Sequence, residues 1–315
     1  MMAELIPAFD FHQVVVAPWT EHLPLFGWVA LMGFFVAAAC GLVGNYLILR
    51  RMALMGDAVS HSVLPGLVIA FLLTDSRGTL PMFLGALAAG AVTTVLIELI
   101  HRKSRVKQDA AIGIAFSALF AVGVLLVSLY ADKIDLDADC VLFGEIAFVP
   151  LESMVTLGGW TLGPESVVRM GAVLLAVGAV VTVFYKELLV SAFDAGLART
   201  LGINPTVFHY GLMAMLSIVV VAAFEAVGAI LVIAMLILPG ATASLLSTRL
   251  GVIHLLTLAQ AAISAAGGVM LGVWLDCSIA AAMVMAGTVL FVSAWIFSPT
   301  QGLLNRWLRR GSKSR

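Results

Sequence analysis

Charge is what this sequence has least of. Only 11% of its 315 residues are Asp, Glu, Lys or Arg, against roughly a quarter in an ordinary soluble domain. So few charges cannot dress a water-facing surface, and with 62% of residues apolar and a mean hydropathy of +1.10 the solvent for most of the chain is expected to be lipid. A formal net charge of −1 argues against a nucleic-acid partner. Cysteine is scarce too: Cys40, Cys140 and Cys277 lie far apart, with neither metal-site nor disulfide-framework spacing, and read as small apolar fillers. No G-x-x-x-x-G-K-[ST] occurs, so a Walker-type nucleotide site is excluded, and no H-E-x-x-H supports a zinc protease. The opening MMAELIPAFDFHQ has no Lys or Arg ahead of an apolar stretch and is not expected to be a secretory signal.

Long apolar runs are what is present. A helix needs about 20 apolar residues to cross a bilayer core. That ruler gives nine candidate spans, near 25–49, 52–73, 79–100, 110–130, 168–190, 207–222, 225–246, 250–273 and 278–297. Runs of this kind lack the alternation of a membrane barrel. The expected fold is therefore all-α. Residues 1–24 form an outer N-terminal arm, 25–298 a single transmembrane domain, and 299–315 a basic cytoplasmic tail. Pro65 and Pro239 mark the second and seventh spans as candidates for kinks or breaks. Gly85, Gly90, Gly171, Gly178, Gly268 and Gly272 suggest close helix approach. With the N-terminus outside and the C-terminus inside, every Lys and Arg except Arg77, Lys133 and Arg169 falls in an inner segment, as the positive-inside bias requires.

Ionisable residues inside spans are costly and are functional candidates by default. Asp57, Glu225 and Asp276 meet that description, and His61 joins them. Asp57 and His61 stand at i and i+4, so a helix places both on one face. Counted at about 1.5 Å per residue from Arg51, His61 lies roughly 15 Å into the span. One reading of the pair is an oxygen and a nitrogen ligand for a divalent cation; the other is a hydrogen bond neutralising two buried polar groups. Glu225 and Asp276 fall near outer span ends, where hydration is the alternative to function. Asp and His suit Mn²⁺, Fe²⁺ or Zn²⁺. Mg²⁺ and Ca²⁺ prefer all-oxygen shells, and no Cys or Met pair is placed for Cu(I). The remaining histidines, His12, His22, His101, His209 and His254, sit in the arm or at span ends and are not expected to be ligands.

The stretch from Arg51 to Leu73, RMALMGDAVSHSVLPGLVIAFLL, resembles the signature of the metal-type ABC permeases, the family of bacterial zinc and manganese importers. FEAVGAILVIAMLILPGATASLL, from Phe224 to Leu246, resembles that family's second marked segment. DLDADCVLFGEIAFVPLE, from Asp135 to Glu152, resembles the outer loop of its manganese, zinc and iron subgroup. The likeness runs from about Phe26 to Ser298. It implies an ABC importer permease in a bacterial inner membrane, dimerising around a central path with a second copy or a related permease. An ATP-binding subunit on the cytoplasmic side and an extracytoplasmic metal-binding protein are the implied partners. Asp57 and His61 match the family's metal-contacting pair, and Glu225 matches a position implicated in the path. Asp276 departs from the pattern, because the Pro and Gly usual after that Asp are missing. No resident cofactor is implied; the metal is the cargo.

Two polar segments remain. KELLVSAFDAGLARTLGINP, from Lys186 to Pro205, is an inner loop of mixed polarity, with small residues Ala195, Gly196, Ala198 and Gly202 beside Asp194, that loosely resembles the coupling loop of ABC importers. An ordinary surface loop is the alternative. The outer loop 131–167 carries Asp132, Asp135, Asp137, Asp139, Glu145, Glu152 and Glu165, which fit a cation-concentrating mouth, a contact for a binding protein, or a plain solvated loop. The rival functions are a proton-coupled secondary metal transporter and an ABC importer of a metal chelate.

Overall fold

The computed structural model describes residues 7–75, 79–130, 146–157, 159–298 and 302, with the backbone alone at 79, 157, 160, 225, 229 and 230. Among the described residues ten helices carry the fold: α1 (Leu23–Leu49), α2 (Leu54–Thr74), α3 (Thr79–Lys103), α4 (Gln108–Leu129), α5 (Glu165–Val183), α6 (Tyr185–Phe193), α7 (Ala195–Thr200), α8 (Pro205–Leu246), α9 (Leu250–Leu275) and α10 (Ile279–Phe297). Two short turns, His12–Val16 and Ala17–Thr20, precede them. Between α4 and α5 lie a 3-10 turn, Ile146–Leu151, and an antiparallel hairpin of β1 (Met154–Leu157) and β2 (Trp160–Pro164). This small hairpin, in a segment expected to be loop, is the structure's addition to an otherwise helical chain.

Among the described residues, eight helical segments are long and apolar enough to span a membrane, and Leu231–Leu246 is a shorter apolar one. Each of the nine apolar runs thus corresponds to helix. The fifth run is divided, however. α5 stops at Val183, Phe184 leaves helical geometry, and α6 takes up the rest of the stretch.

The bundle is built around α1. That helix is apolar on every side, and residues 36–47 are buried without interruption, as expected for a helix enclosed by others. α8, α9 and α5 pack against it, while α2 packs with α3, α4 and α8, and α9 with α10. Small residues set the distances. A Cβ on Gly44 would collide with the Leu236 carbonyl oxygen, bringing α1 and α8 to backbone contact. Gly66 and Gly85 do the same for α2 and α3, where a Cβ on either would meet the carbonyl oxygen of the other. Gly178 faces open space, so the expected close approach is not made there. Buried polar groups bridge helices too: Asn45 Nδ2 donates to Thr257 Oγ1 at 3.1 Å, tying α1 to α9. Large apolar side chains remain exposed along α3, α4 and α5, including Leu84, Val95, Leu125 and Leu175. Lipid or a partner helix must cover them.

The break in the bundle is at a glycine, not a proline. Pro65 and Pro239 both lie inside helix. α8 instead departs from helical geometry at Gly228, with φ 72° and ψ 168°, a region that is essentially glycine-only. It has two limbs, one before and one after that residue. The prolines are buried among neighbouring helices, which can absorb the lost hydrogen bond.

Candidate functional site

Chain geometry at the C-terminal end of α1 sets up the site. Arg51 adopts a left-handed conformation, φ 58°. The Met52 N–H donates back to the Leu47 carbonyl at 2.8 Å and the Arg51 N–H to Ile48 at 3.0 Å. This is a Schellman closure with arginine where glycine is usual. The chain therefore turns before α2 begins at Leu54, instead of rising through the bilayer from Arg51. His61 lies about 10 Å along α2 at 1.5 Å per residue. Asp57 falls in the first turn of α2, where the helix dipole favours a carboxylate.

His61 Nε2 stands 3.2 Å from Asp57 Oδ1. The two side chains are 27% and 36% exposed, so both remain reachable. Two donors sharing one ion at ~2.1 Å would stand about 3.0–3.4 Å apart, so the pair already has a ligating separation. Phe116 and Phe120 of α4 flank the imidazole, with ring centroids at 5.5 Å and 5.9 Å. These rings restrict the imidazole's orientation and supply an apolar wall. On the other side Gly56 admits Leu236 of the second α8 limb, so the break at Gly228 and the α2 pair belong to one packed unit.

Glu225 lies on the first α8 limb, three residues before Gly228; its side chain falls outside the described residues. Asp276 is exposed at the C-cap of α9 with φ 48° and does not join Asp57. The outer-loop acids Asp132, Asp135, Asp137, Asp139 and Glu145, Cys140, and all of the basic tail except Gly302 lie outside the described residues. Among the described residues no three His, Cys, Asp or Glu side chains are grouped closely enough to hold an ion. Among the described residues, Asp57 and His61 thus stand as a pair without a third such side chain beside them.

The segment expected to receive a partner is a helix–cap–helix unit. Asp194 separates α6 from α7, and its Oδ1 accepts from the Gly196 N–H at 2.8 Å and the Leu197 N–H at 3.1 Å, an N-cap. Ala198 is fully buried, fixing α7 to the body of the protein. Gly202, φ 79°, ends α7: its N–H donates to Arg199 and the Ile203 N–H to Ala198, again a Schellman closure. Asn204 then caps α8, with Pro205 as its first residue. Phe193, Leu197 and Leu201 stay exposed on this unit.

A second polar cluster went unrecognised in the sequence. Glu98, inside the third apolar run, accepts from Arg102 Nε on one oxygen and stands 3.4 Å from His209 Nε2 with the other. Arg50 lies 3.2 Å from His209 Nδ1 and donates to Ser191 Oγ at 2.9 Å. The available signals were a carboxylate within an apolar run and an Arg four residues after it. His209 is engaged here with an arginine and a carboxylate.

The family model described as ABC 3 transport family matches residues 22–298. The manganese transport system membrane protein MntD of Bacillus subtilis is 43% identical over 282 residues, covering 90% of this chain and 95% of that protein. The zinc transport system membrane protein TroD of Treponema pallidum is 44% identical, covering 89% and 76%. The chelated iron transport system membrane protein YfeC of Yersinia pestis is 34% identical across 100% of this chain and 96% of its own. Among solved structures, PsaBC from Streptococcus pneumoniae in complex with Fab superposes with a TM-score of 0.74 at 29% identity, covering 97% and 99% of the two chains. A likeness at 17% identity to an inward-facing putative metal-chelate type ABC transporter, TM-score 0.63, supports the fold alone. On this evidence the chain belongs to the ABC 3 transport family and is a multi-pass membrane permease subunit.

Proposed function

We propose that this permease carries a divalent transition-metal ion, Mn²⁺, Zn²⁺ or Fe²⁺, into the cell, with Asp57 and His61 as its ligands. The observation carrying this reading is the reachable carboxylate–imidazole pair, 3.2 Å apart, near the start of an otherwise apolar membrane helix. Its donors are those that borderline first-row ions accept. The named cargoes of the relatives, manganese, zinc and chelated iron, support the same class. Glu225, next to the α8 break, is the third residue assigned to the path, because discontinuous helices favour ion passage where their freed backbone groups face a cavity. Asp57 and His61 alone leave a coordination shell incomplete, and further donors come from water and from a second permease, identical or related.

Energy comes from outside this chain, which lacks a Walker-type motif. A cytoplasmic ATP-binding subunit docks on α6–α7, where Asp194, Ala195, Gly196, Ala198 and Gly202 shape a rigid, capped unit presenting Leu197 and Leu201. An extracytoplasmic binding protein delivers the ion to the outer mouth. Closure of the ATPase moves α6–α7 as a rigid body, and the Asp57–His61 site is exposed first outward and then inward. Nine spans, with the N-terminus outside and the C-terminus inside, accommodate this arrangement.

The test is tracer uptake of manganese and zinc in cells lacking their own importers, supplied with this chain, its ATPase and its binding protein. Uptake that disappears when the ATPase is omitted, and in Asp57→Ala and His61→Ala at equal expression, is expected. Uptake persisting without the ATPase would move the protein to the secondary-transporter class.

A further inference from the structure

The cluster of Arg50, Ser191, His209, Glu98 and Arg102 joins four elements at the inner end of the molecule. Arg50 is the C-cap of α1, Ser191 belongs to α6, His209 to the first turns of α8, and Glu98 and Arg102 to the end of α3. Its hydrogen bonds have a single self-consistent direction. A guanidinium only donates, so His209 Nδ1 and Ser191 Oγ both accept from Arg50. Nδ1 being an acceptor, the ring proton is on Nε2, which faces Glu98 Oε2 at 3.4 Å. The other Glu98 oxygen takes Arg102, and the Ser191 hydroxyl donates onward to the Leu188 carbonyl at 3.1 Å. Every member thus has one assigned role, and turning any of the four elements breaks at least one bond.

Its position gives the cluster leverage. Arg50 immediately precedes Arg51, the left-handed residue from which the chain enters α2. Glu98 sits on α3, which meets α2 at the Gly66–Gly85 backbone contact. The helix carrying Asp57 and His61 is therefore held from its beginning through Arg50 and along its length through α3. Ser191 connects both holds to the α6–α7 unit. A cavity of about 360 Å³ lined by Arg50, Arg51, Glu98, Arg102, Ser191 and His209 lies over the cluster, giving these side chains room to change partners. Two arginines beside one carboxylate make the place unsuited to a cation, so a station for the metal is not what the chemistry describes.

We propose that Arg50, Ser191, His209 and Glu98 are positioning residues that couple movement of the α6–α7 unit to the metal-bearing helix α2. This rests on the reading that the ATPase docks on α6–α7. Without the cluster, the ATPase still binds and hydrolyses ATP, but its stroke no longer reaches α2.

The experiment reconstitutes the complete importer in proteoliposomes and reads three quantities: ATPase retained on the purified permease, ATP hydrolysed, and metal accumulated. Arg50→Gln, His209→Gln, Glu98→Gln and Ser191→Ala are expected to retain the ATPase and hydrolyse ATP within about twofold of wild type. Metal moved per ATP falls by about 5- to 50-fold, within the range of typical coupling energies. Ser191→Thr, which keeps the hydroxyl, restores the ratio, and Arg50→Gln combined with Glu98→Gln is no worse than the poorer single change, as for one connected chain. An unchanged ratio in correctly assembled variants overturns the proposal. So does a parallel fall of hydrolysis and transport in step with the amount of folded protein, because that is the mark of a merely structural clamp. Retention of the ATPase by Leu197→Glu contradicts the docking reading and the proposal with it, and this failure is visible in the retention measurement, not in the ratio.

Discussion

Asp57 and His61 stand 3.2 Å apart, so in the proposed role taking up an ion would replace their mutual contact with two coordination bonds. Asp57→Asn separates the proposed ligand role from a structural one. The amide keeps the size and a polar contact with the imidazole but loses the charge that favours a divalent ion. Transport is expected to fall by at least about tenfold with little change in thermal stability, as read from uptake and unfolding of the purified permease. Preserved transport would assign the pair to structure alone. His61→Gln, which keeps a polar side chain but removes the imidazole ligand, is expected to weaken metal binding by the purified complex, read by titration with manganese or zinc. The pair was legible in the sequence because its partners are four residues apart on one helix. The Glu98–His209–Arg50 cluster was not, because its members are distant in the chain and only the packing of α1, α3 and α8 brings them together. Asp276, equally prominent as a lone acid at a span end, is an exposed cap.

Elements act here through their ends. The α6–α7 unit owes its rigidity to Asp194, and Asp194→Ala removes acceptors for two backbone N–H groups. Loss of such a cap costs about 0.5–2 kcal/mol. Weaker retention of the ATPase is expected, with Asp194→Ser close to wild type, measured by co-purification. At the α8 break, Gly228→Ala places a Cβ in a conformation that costs about 1–3 kcal/mol. A permease of lower thermal stability, or one with a straightened α8 and reduced transport, is the expected outcome, read by melting and by uptake. The polar segment from Lys186 to Pro205 stood out in the sequence because charged and small residues interrupt an apolar run there. The break did not, since local rules assign kinks to Pro65 and Pro239, whereas neighbouring helices carry those prolines within continuous helix. Similarly, apolar character ran on past Val183 and concealed the division between α5 and α6.

At the scale of the whole molecule, composition alone required lipid as the solvent, and the central helix α1 with its unbroken buried stretch explains how such a chain makes a core. The exposed apolar faces on α3, α4 and α5 are left for lipid or a partner helix to cover. The proposed orientation puts Arg50, Arg102 and the α6–α7 unit on the cytoplasmic side. Single cysteines introduced at Leu197 and near His12 in a background lacking Cys40, Cys140 and Cys277 should be labelled by membrane-impermeant reagent from opposite sides. Labelling of both from one side would overturn the topology. The central claim, an ATP-driven metal path through Asp57 and His61, is tested most directly by accumulation of radiolabelled manganese or zinc in proteoliposomes holding the permease, its ATPase and its binding protein. ATP-dependent accumulation by wild type, abolished by His61→Ala while the ATPase stays bound, is the predicted result; accumulation by His61→Ala at the wild-type rate would contradict the account.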